Sequence, residues 1–189
     1  LMLKEAIDEL AQAGIRVALS FGNHDFMIDQ NQRTLFSGQN VYVFGEEVST
    51  FYFDTSEGEH IAVSGFSYGE RHIKKHMAVN FPHKKLNETY HIGLYHGDQS
   101  TGEAANYAPF TLSELNQTQY DYWGLGHIHL RQTLQTVPFI GYSGNLQGLN
   151  RKEQGPKGYY MVESVQHHLE PTFTAVAPIE WSEQDIQYH

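Results

Sequence analysis

The run Gly124-Leu125-Gly126-His127-Ile128-His129 sets two imidazoles two residues apart, entered through glycines and preceded by the apolar residues Tyr122, Trp123 and Leu125. In an extended chain residues i and i+2 project to the same side, so His127 and His129 can face one point in space. Neutral imidazole is the commonest side-chain metal ligand. With 12 His in 189 residues, about one His-x-His arises by chance, so the pair needs a context. That context repeats along the chain. Ile15 to Phe21 reads as a buried strand and runs into Gly22-Asn23-His24-Asp25; His91 to Tyr95 reads as another and runs into His96-Gly97-Asp98; Tyr120 to Leu125 leads to the His-x-His turn. In open α/β sheets, ligands bind beyond the carboxyl ends of strands. Three such ends would gather Asn23, His24, His96, His127 and His129. The chain has no cysteine, so a metal here takes nitrogen and oxygen ligands, which suits Mn, Fe, Zn or Mg better than a structural zinc cluster.

The elements that must position these residues are legible in part. Apolar residues at positions 3, 6, 7, 10 and 11 predict an amphipathic helix that stops at Gly14. The segment 29–38 is polar, helical or irregular. Val41 to Phe44, Thr50 to Phe53 and His60 to Phe66 are β-branched and aromatic, hence strands, with a turn at Ser56 to Glu59 and an antiparallel character. His72 and His76 are spaced to share a helix face, although no third ligand lies near them in sequence. Thr111-Leu112-Ser113-Glu114 has the capping-box pattern of a short helix ending near Asn116. Further strands are predicted over 132–137 and 139–142, separated by Pro138. A glycine-flanked loop covers 143–148, and 158–163 and 169–176 are closing strands. The tail from Ile179 has little core signal and reads as the start of a further segment. The chain opens helix-then-strand, so it reads as beginning inside a domain.

Length allows one sizeable core. No apolar run approaches the 18 residues of a membrane span, and no signal peptide is visible. The absence of cysteine fits a reducing cytoplasm. Net charge is −10, which argues against nonspecific adhesion to nucleic acid. Its distribution is uneven. Residues 1–70 carry 11 acidic and 3 basic side chains, whereas 71–85 carry five basic ones (Arg71, Lys74, Lys75, Lys84, Lys85) and no acid. Residues 131–157 hold Arg131, Arg151, Lys152 and Lys157 against Glu153 alone, and 158–189 hold no Lys or Arg. The two basic islands are either phosphate-facing strips or ordinary solvated surface.

These motifs resemble the later motifs of the calcineurin-like metallophosphoesterases: Gly22-Asn23-His24-Asp25, then His96, then Gly126-His127-Ile128-His129. Three further segments look like the DNA-repair exonuclease branch, with bacterial YhaO-like proteins nearest and SbcD-type nucleases as cousins. They are Ser64 to Tyr68, Asp121 to His127, and Gly144-Asn145-Leu146-Gln147-Gly148 followed by Glu153 to Gly158. The resemblance covers roughly residues 1–165 and implies a two-sheet β-sandwich flanked by helices, an α/β (α+β) fold. The domain would span 1–176, with 177–189 a tail or the start of a further domain. Family members carry an Asp-x-His motif and a Gly-Asp motif before the Asn-His-Asp motif. Neither is present, so the resemblance implies an N-terminally truncated domain lacking part of one metal site and the carboxylate that bridges both metals.

The implied activity is phosphodiester hydrolysis on DNA ends, with two divalent ions, Mn²⁺ foremost and Fe, Zn or Mg as alternatives. Two such ions about 3.5–4 Å apart lower the pKa of a bridging water and clamp the phosphate oxygens. By the resemblance, Asn23, His96 and His127 bind one metal and His129 reaches the other. His24 is then no ligand but faces the phosphate, steadying charge or protonating the leaving oxygen. Asp25 orients His24 and raises its pKa, or else caps the following segment. Arg71, Lys74, Lys75, Asn145 and Arg151 would contact DNA. An ATPase of the SbcC type is a possible partner, and a dimer is compatible with the sequence. Two alternatives stay open. One is a phosphodiesterase or phosphatase for small nucleotides, mildly favoured by the net charge. The other is a noncatalytic fragment that binds DNA or a partner through the basic islands.

Overall fold

The opening amphipathic pattern forms α1 (Met2–Gln12), which buries Ile7. The structure is a computed structural model that describes residues 2–28 and 30–183. Gly14 closes α1 at φ +79°: its amide donates to the Ala11 carbonyl at 3.1 Å and that of Ile15 to the Leu10 carbonyl at 3.0 Å. This is the paired closure for which a left-handed glycine is suited.

The next strand is shorter than its sequence suggests. β1 (Val17–Leu19) pairs in parallel with β2 (Val41–Val43), with Val17 opposite Val41, in a small sheet of their own. The reasons are local. Ile15 spends its amide closing the helix, and beyond Leu19 the chain bonds to a loop instead of a strand. The Ser20 hydroxyl donates to the Phe66 carbonyl, and the Phe21 amide donates to Ser67 Oγ at 3.0 Å. The Asn23 loop therefore rises from a neighbouring sheet, not from the sheet that carries His96 and His127. Between them lies the short helix α2 (Gln30–Thr34).

The main sheet has six strands: β3 (Ser49–Asp54), β4 (His60–Gly65), β5 (Tyr90–His96), β6 (Tyr122–Gly126), β7 (Gln132–Thr136) and β8 (Phe139–Tyr142). Their order is β3-β4-β5-β6-β8-β7. The four central strands run parallel, and β3 and β7 are antiparallel edges. The antiparallel character expected for 41–66 thus holds for β3–β4 and fails for β2. A hairpin of β9 (Gly158–Val165) and β10 (His168–Ala175) forms the third sheet.

Strand alternation sorts the side chains into two cores. On one face Ile61, Val63 and Tyr90 are buried with Phe44, joined by Ile92 and Leu94 of β5, and Ala18, Tyr42 and Leu169 pack against them from the two small sheets. On the other, Phe66, Tyr95, Trp123, Leu125 and Ile140 meet Phe81, Phe110 and Leu115 from the loops and from α3 (Leu112–Gln117). The arrangement is a mixed α/β sandwich with few helices. At Gly93 an added Cβ would lie 2.2 Å from the Trp123 ring, so β5 passes close under that side chain. The capping box of α3 forms as its sequence predicts: Thr111 Oγ1 accepts from the Glu114 amide, and Glu114 accepts from the Thr111 amide.

Residues 71–76 form no helix, which corrects the pairing of His72 with His76. A parallel bridge joins Ile73 to Tyr107; His72 then rests on the Tyr107 ring, with centroids 5.4 Å apart, while His76 turns away to Glu114 at 2.9 Å. Bonding to Asn106 and Ala108, this backbone cannot also close helical turns. The segment near Ile179 lies along the 147–155 loop, through Gln147 to the Ile179 carbonyl and Trp181 Nε1 to the Gly148 carbonyl, 2.9 and 3.0 Å. Residues 184–189 lie outside the described residues. No described helix is long and apolar enough to cross a membrane.

Candidate metal centre

β5 and β6 are adjacent and parallel, with His96 in register with Gly126. That pairing delivers His96 and the following His127 to one end of the sheet. The Asn23 loop arrives from β1. His96 Nε2 lies 2.8 Å from Asn23 Oδ1, and His127 Nδ1 lies 3.3 Å from the same oxygen. Asn23 is 4% exposed, so its amide is held in place. Two glycines make room: a Cβ on Gly22 would fall 2.3 Å from His96 Cε1, and one on Gly126 3.0 Å from His96 Nδ1. Both would strike the imidazole itself.

The electrostatics keep these rings as free bases. Burial pushes the His96 pKa down to about 4, and His127, His24 and His129 add to the effect. His127 is also lowered, first by burial, against the opposing pull of Asp98. An unprotonated imidazole is the form that binds a cation. His127 carries a further mark of a site: its φ is +99°. L-residues rarely adopt that region, and it persists only where the surroundings enforce it. Here Tyr107 lies on one side with ring centroids 4.5 Å apart, and Asp98 Oδ2 is 3.5 Å from Nε2.

His129 stands apart from this trio. Its Nδ1 is 2.7 Å from Glu153 Oε1, and its carbonyl accepts from Lys157 Nζ at 3.3 Å and from the Asn145 amide at 3.3 Å. His24 is exposed, near enough for its charge to weigh on His96 and His127. The Asp25 carboxylate accepts from the Gly22 amide at 3.3 Å, and so braces its own loop. Among the residues expected to meet DNA, Arg71, Lys74, Lys75 and Arg151 are exposed. The Asn145 side chain is already committed, donating to Glu153 Oε2 at 3.1 Å. Lys84 is spent on Asp121 at 2.7 Å, and Lys85 donates to the Tyr52 hydroxyl at 2.7 Å. Four residues near the site had no place in the sequence reading of it: Asp98, Tyr107, Glu153 and Lys157. Asp98 follows His96-Gly97 directly, a signal that was available. Tyr107 and Lys157 arrive through the Ile73 bridge and the β9 hairpin, which no local spacing reveals.

Among the described residues no group of three or more His, Asp or Glu side chains is arranged to hold a metal ion alone. The donors that do converge are two imidazole nitrogens and one amide oxygen, with no carboxylate at the point of convergence. This set fits one side of a divalent ion of intermediate softness and leaves the charge-balancing side to donors from elsewhere.

The sandwich of mixed sheets places the chain among α/β proteins, with nitrogen and oxygen donors gathered at the carboxyl ends of parallel strands. No protein-family model matches the chain. It is similar to the uncharacterized metallophosphoesterase YhaO of Bacillus subtilis (strain 168), with 34% identity over 189 residues, covering 98% of this chain and 46% of that protein. This similarity supports the metallophosphoesterase family. The chain spans somewhat under half the length of that relative.

Proposed function

We propose that the protein to which this chain belongs is a metal-dependent phosphodiesterase acting on DNA ends. The observation that carries this reading is the convergence of His96 Nε2 and His127 Nδ1 on Asn23 Oδ1, at 2.8 and 3.3 Å. Asn23, His96 and His127 would hold one divalent ion, and His129 would reach a second. Such ions supply Lewis-acid stabilisation and an acidified water. His24, exposed beside the trio, holds a proton for the leaving oxygen. The exposed cations Arg71, Lys74 and Lys75 flank the site through the Ile73–Tyr107 bridge and meet the phosphate backbone. A cavity of about 420 Å³ lined by Ala18, Ser20, His96, Gly126 and Tyr159 opens beside His96.

The test uses the full-length protein with Mn²⁺, assayed on linear DNA and on a cyclic dinucleotide. The expected result is preferential cleavage of DNA, with His24→Ala slower by roughly 10²–10⁴-fold. Intact DNA with a turned-over dinucleotide would favour the small-nucleotide reading, which the net charge of −10 supports. Charge reversal at Lys74 and Lys75 should weaken DNA binding and flatten its salt dependence. Loss of binding without any measurable cleavage by the parent would favour the noncatalytic reading.

A further inference from the structure

The His129 side chain is 57% exposed, so packing does not orient its ring. What touches it is Glu153, whose side chain is 16% exposed and whose two oxygens are divided between two tasks. Oε1 lies 2.7 Å from His129 Nδ1. Oε2 accepts from the Leu149 amide at 2.7 Å and from Asn145 Nδ2 at 3.1 Å. The carboxylate is therefore fixed by the 145–149 loop before it meets the imidazole. The backbone of His129 is held as well, because the 3%-exposed Lys157 and the Asn145 amide both donate to its carbonyl. Since an ionised carboxylate only accepts hydrogen bonds, the proton of a neutral His129 ring belongs on Nδ1, and Nε2 is left bare.

We infer that Glu153 is a positioning residue that sets the tautomer and direction of His129, so that Nε2 points outward as a bare donor. This rests on the metal-site reading of the histidines. A carboxylate or carbonyl behind a ligating imidazole does this in metal sites generally, and its loss costs roughly 10–100-fold in affinity. The geometry makes an unusual demand on the isosteric variant. In Glu153→Gln, two loop donors face one side of the amide and a single ring nitrogen faces the other. The amide oxygen therefore turns to the loop and its NH₂ to His129 Nδ1. The ring must then accept at Nδ1 and carry its proton on Nε2, the wrong tautomer for a ligand.

The experiment takes the full-length protein, Glu153→Gln and Glu153→Ala. It measures the ring ¹⁵N shifts of His129 without metal, assigned by their loss in His129→Gln, and the binding of Mn²⁺ by calorimetry. The expected result is an Nδ1–H ring in the parent, an Nε2–H ring in Glu153→Gln, and Mn²⁺ affinity lowered roughly 10–100-fold in both variants, with Glu153→Gln melting close to the parent. Unchanged ¹⁵N shifts in Glu153→Gln would overturn the inference and leave Glu153 a loop tie. Affinity within twofold of the parent would overturn it equally. If the parent binds no divalent ion, the metal reading itself falls, while the ¹⁵N shifts still decide whether Glu153 sets the tautomer.

Discussion

Two histidines five residues apart on β5 have opposite surroundings. His91, at the amino end, is sealed. Its Nδ1 lies 2.7 Å from Glu88 Oε2, its Nε2 2.7 Å from Ser64 Oγ, and its face stacks on Tyr120 at 3.6 Å. Ser64 in turn meets Thr50 at 2.7 Å and the Tyr120 hydroxyl at 3.2 Å. Every polar atom of the ring has a partner, and no described cavity reaches it. His96, at the carboxyl end, is only partly buried, and its neighbours are the Asn23 loop and other imidazoles: Asn23 Oδ1 lies 2.8 Å and the Asn23 amide 3.4 Å from its Nε2, the His127 ring is 5.4 Å away, and His24 and His129 add to the lowering of its pKa. A buried imidazole with acids and hydroxyls around it serves the fold. One that meets an amide and neighbouring imidazoles at a strand end is a candidate for binding a cation. Spacing in sequence does not separate the two cases; partners do.

The contrast is broken most strongly by truncation. His91→Ala takes the ring partner from the buried Glu88, which keeps the Lys85 amide at 2.9 Å, and should cost about 3–5 kcal/mol, read by denaturant unfolding. His96→Ala removes a partly buried ring whose polar contacts are to Asn23 and should cost less than about 2 kcal/mol, with loss of ion binding expected on the proposed metal reading. Comparable stability losses for the two would erase the distinction. Gly22→Ala is the next largest effect. Its Cβ would meet the His96 ring at 2.3 Å, so it should cost about 1–3 kcal/mol and weaken Mn²⁺ binding although no donor has been removed.

Acid sharpens the comparison with the smallest signal. Both histidines have folded pKa values below their usual value, His91 chiefly from burial and His96 to about 4. Between about pH 6.5 and those folded values, the unfolded chain binds more protons than the folded one. Stability is therefore fully present above the unfolded pKa and falls as pH drops from 6.5 toward 4. His96→Asn should reduce that slope in a series of unfolding midpoints, and an unchanged slope would mean that His96 is not held neutral.

The fold was legible where local chemistry decides it. Thr111 and Glu114 announce their capping box, Gly14 its helix end, and the alternation of β5 its two faces. Illegibility began where distant segments compete for the same backbone groups. Ile15 reads as strand, but its amide closes α1. His72 and His76 read as helix, but Ile73 bonds to Asn106 and Ala108 instead. The gathering of His96 and His127 was legible because the carboxyl ends of adjacent parallel strands lie together; Asn23 joins them although its loop leaves a separate sheet. The split between their trio and His129 was not, since it depends on Glu153, 24 residues further on.

The positive φ of His127 sets a trade-off at a single Cα. Glycine occupies that region without penalty, so His127→Gly should relax strain of about 1–3 kcal/mol, against the usual cost of glycine's freedom in the unfolded chain, and so fold no worse than His127→Ala. The same change deletes a donor from the only converging trio among the described residues. Selection for thermal robustness alone would drift toward glycine here. On the metal reading proposed above, histidine at φ +99° trades backbone stability for a ring nitrogen.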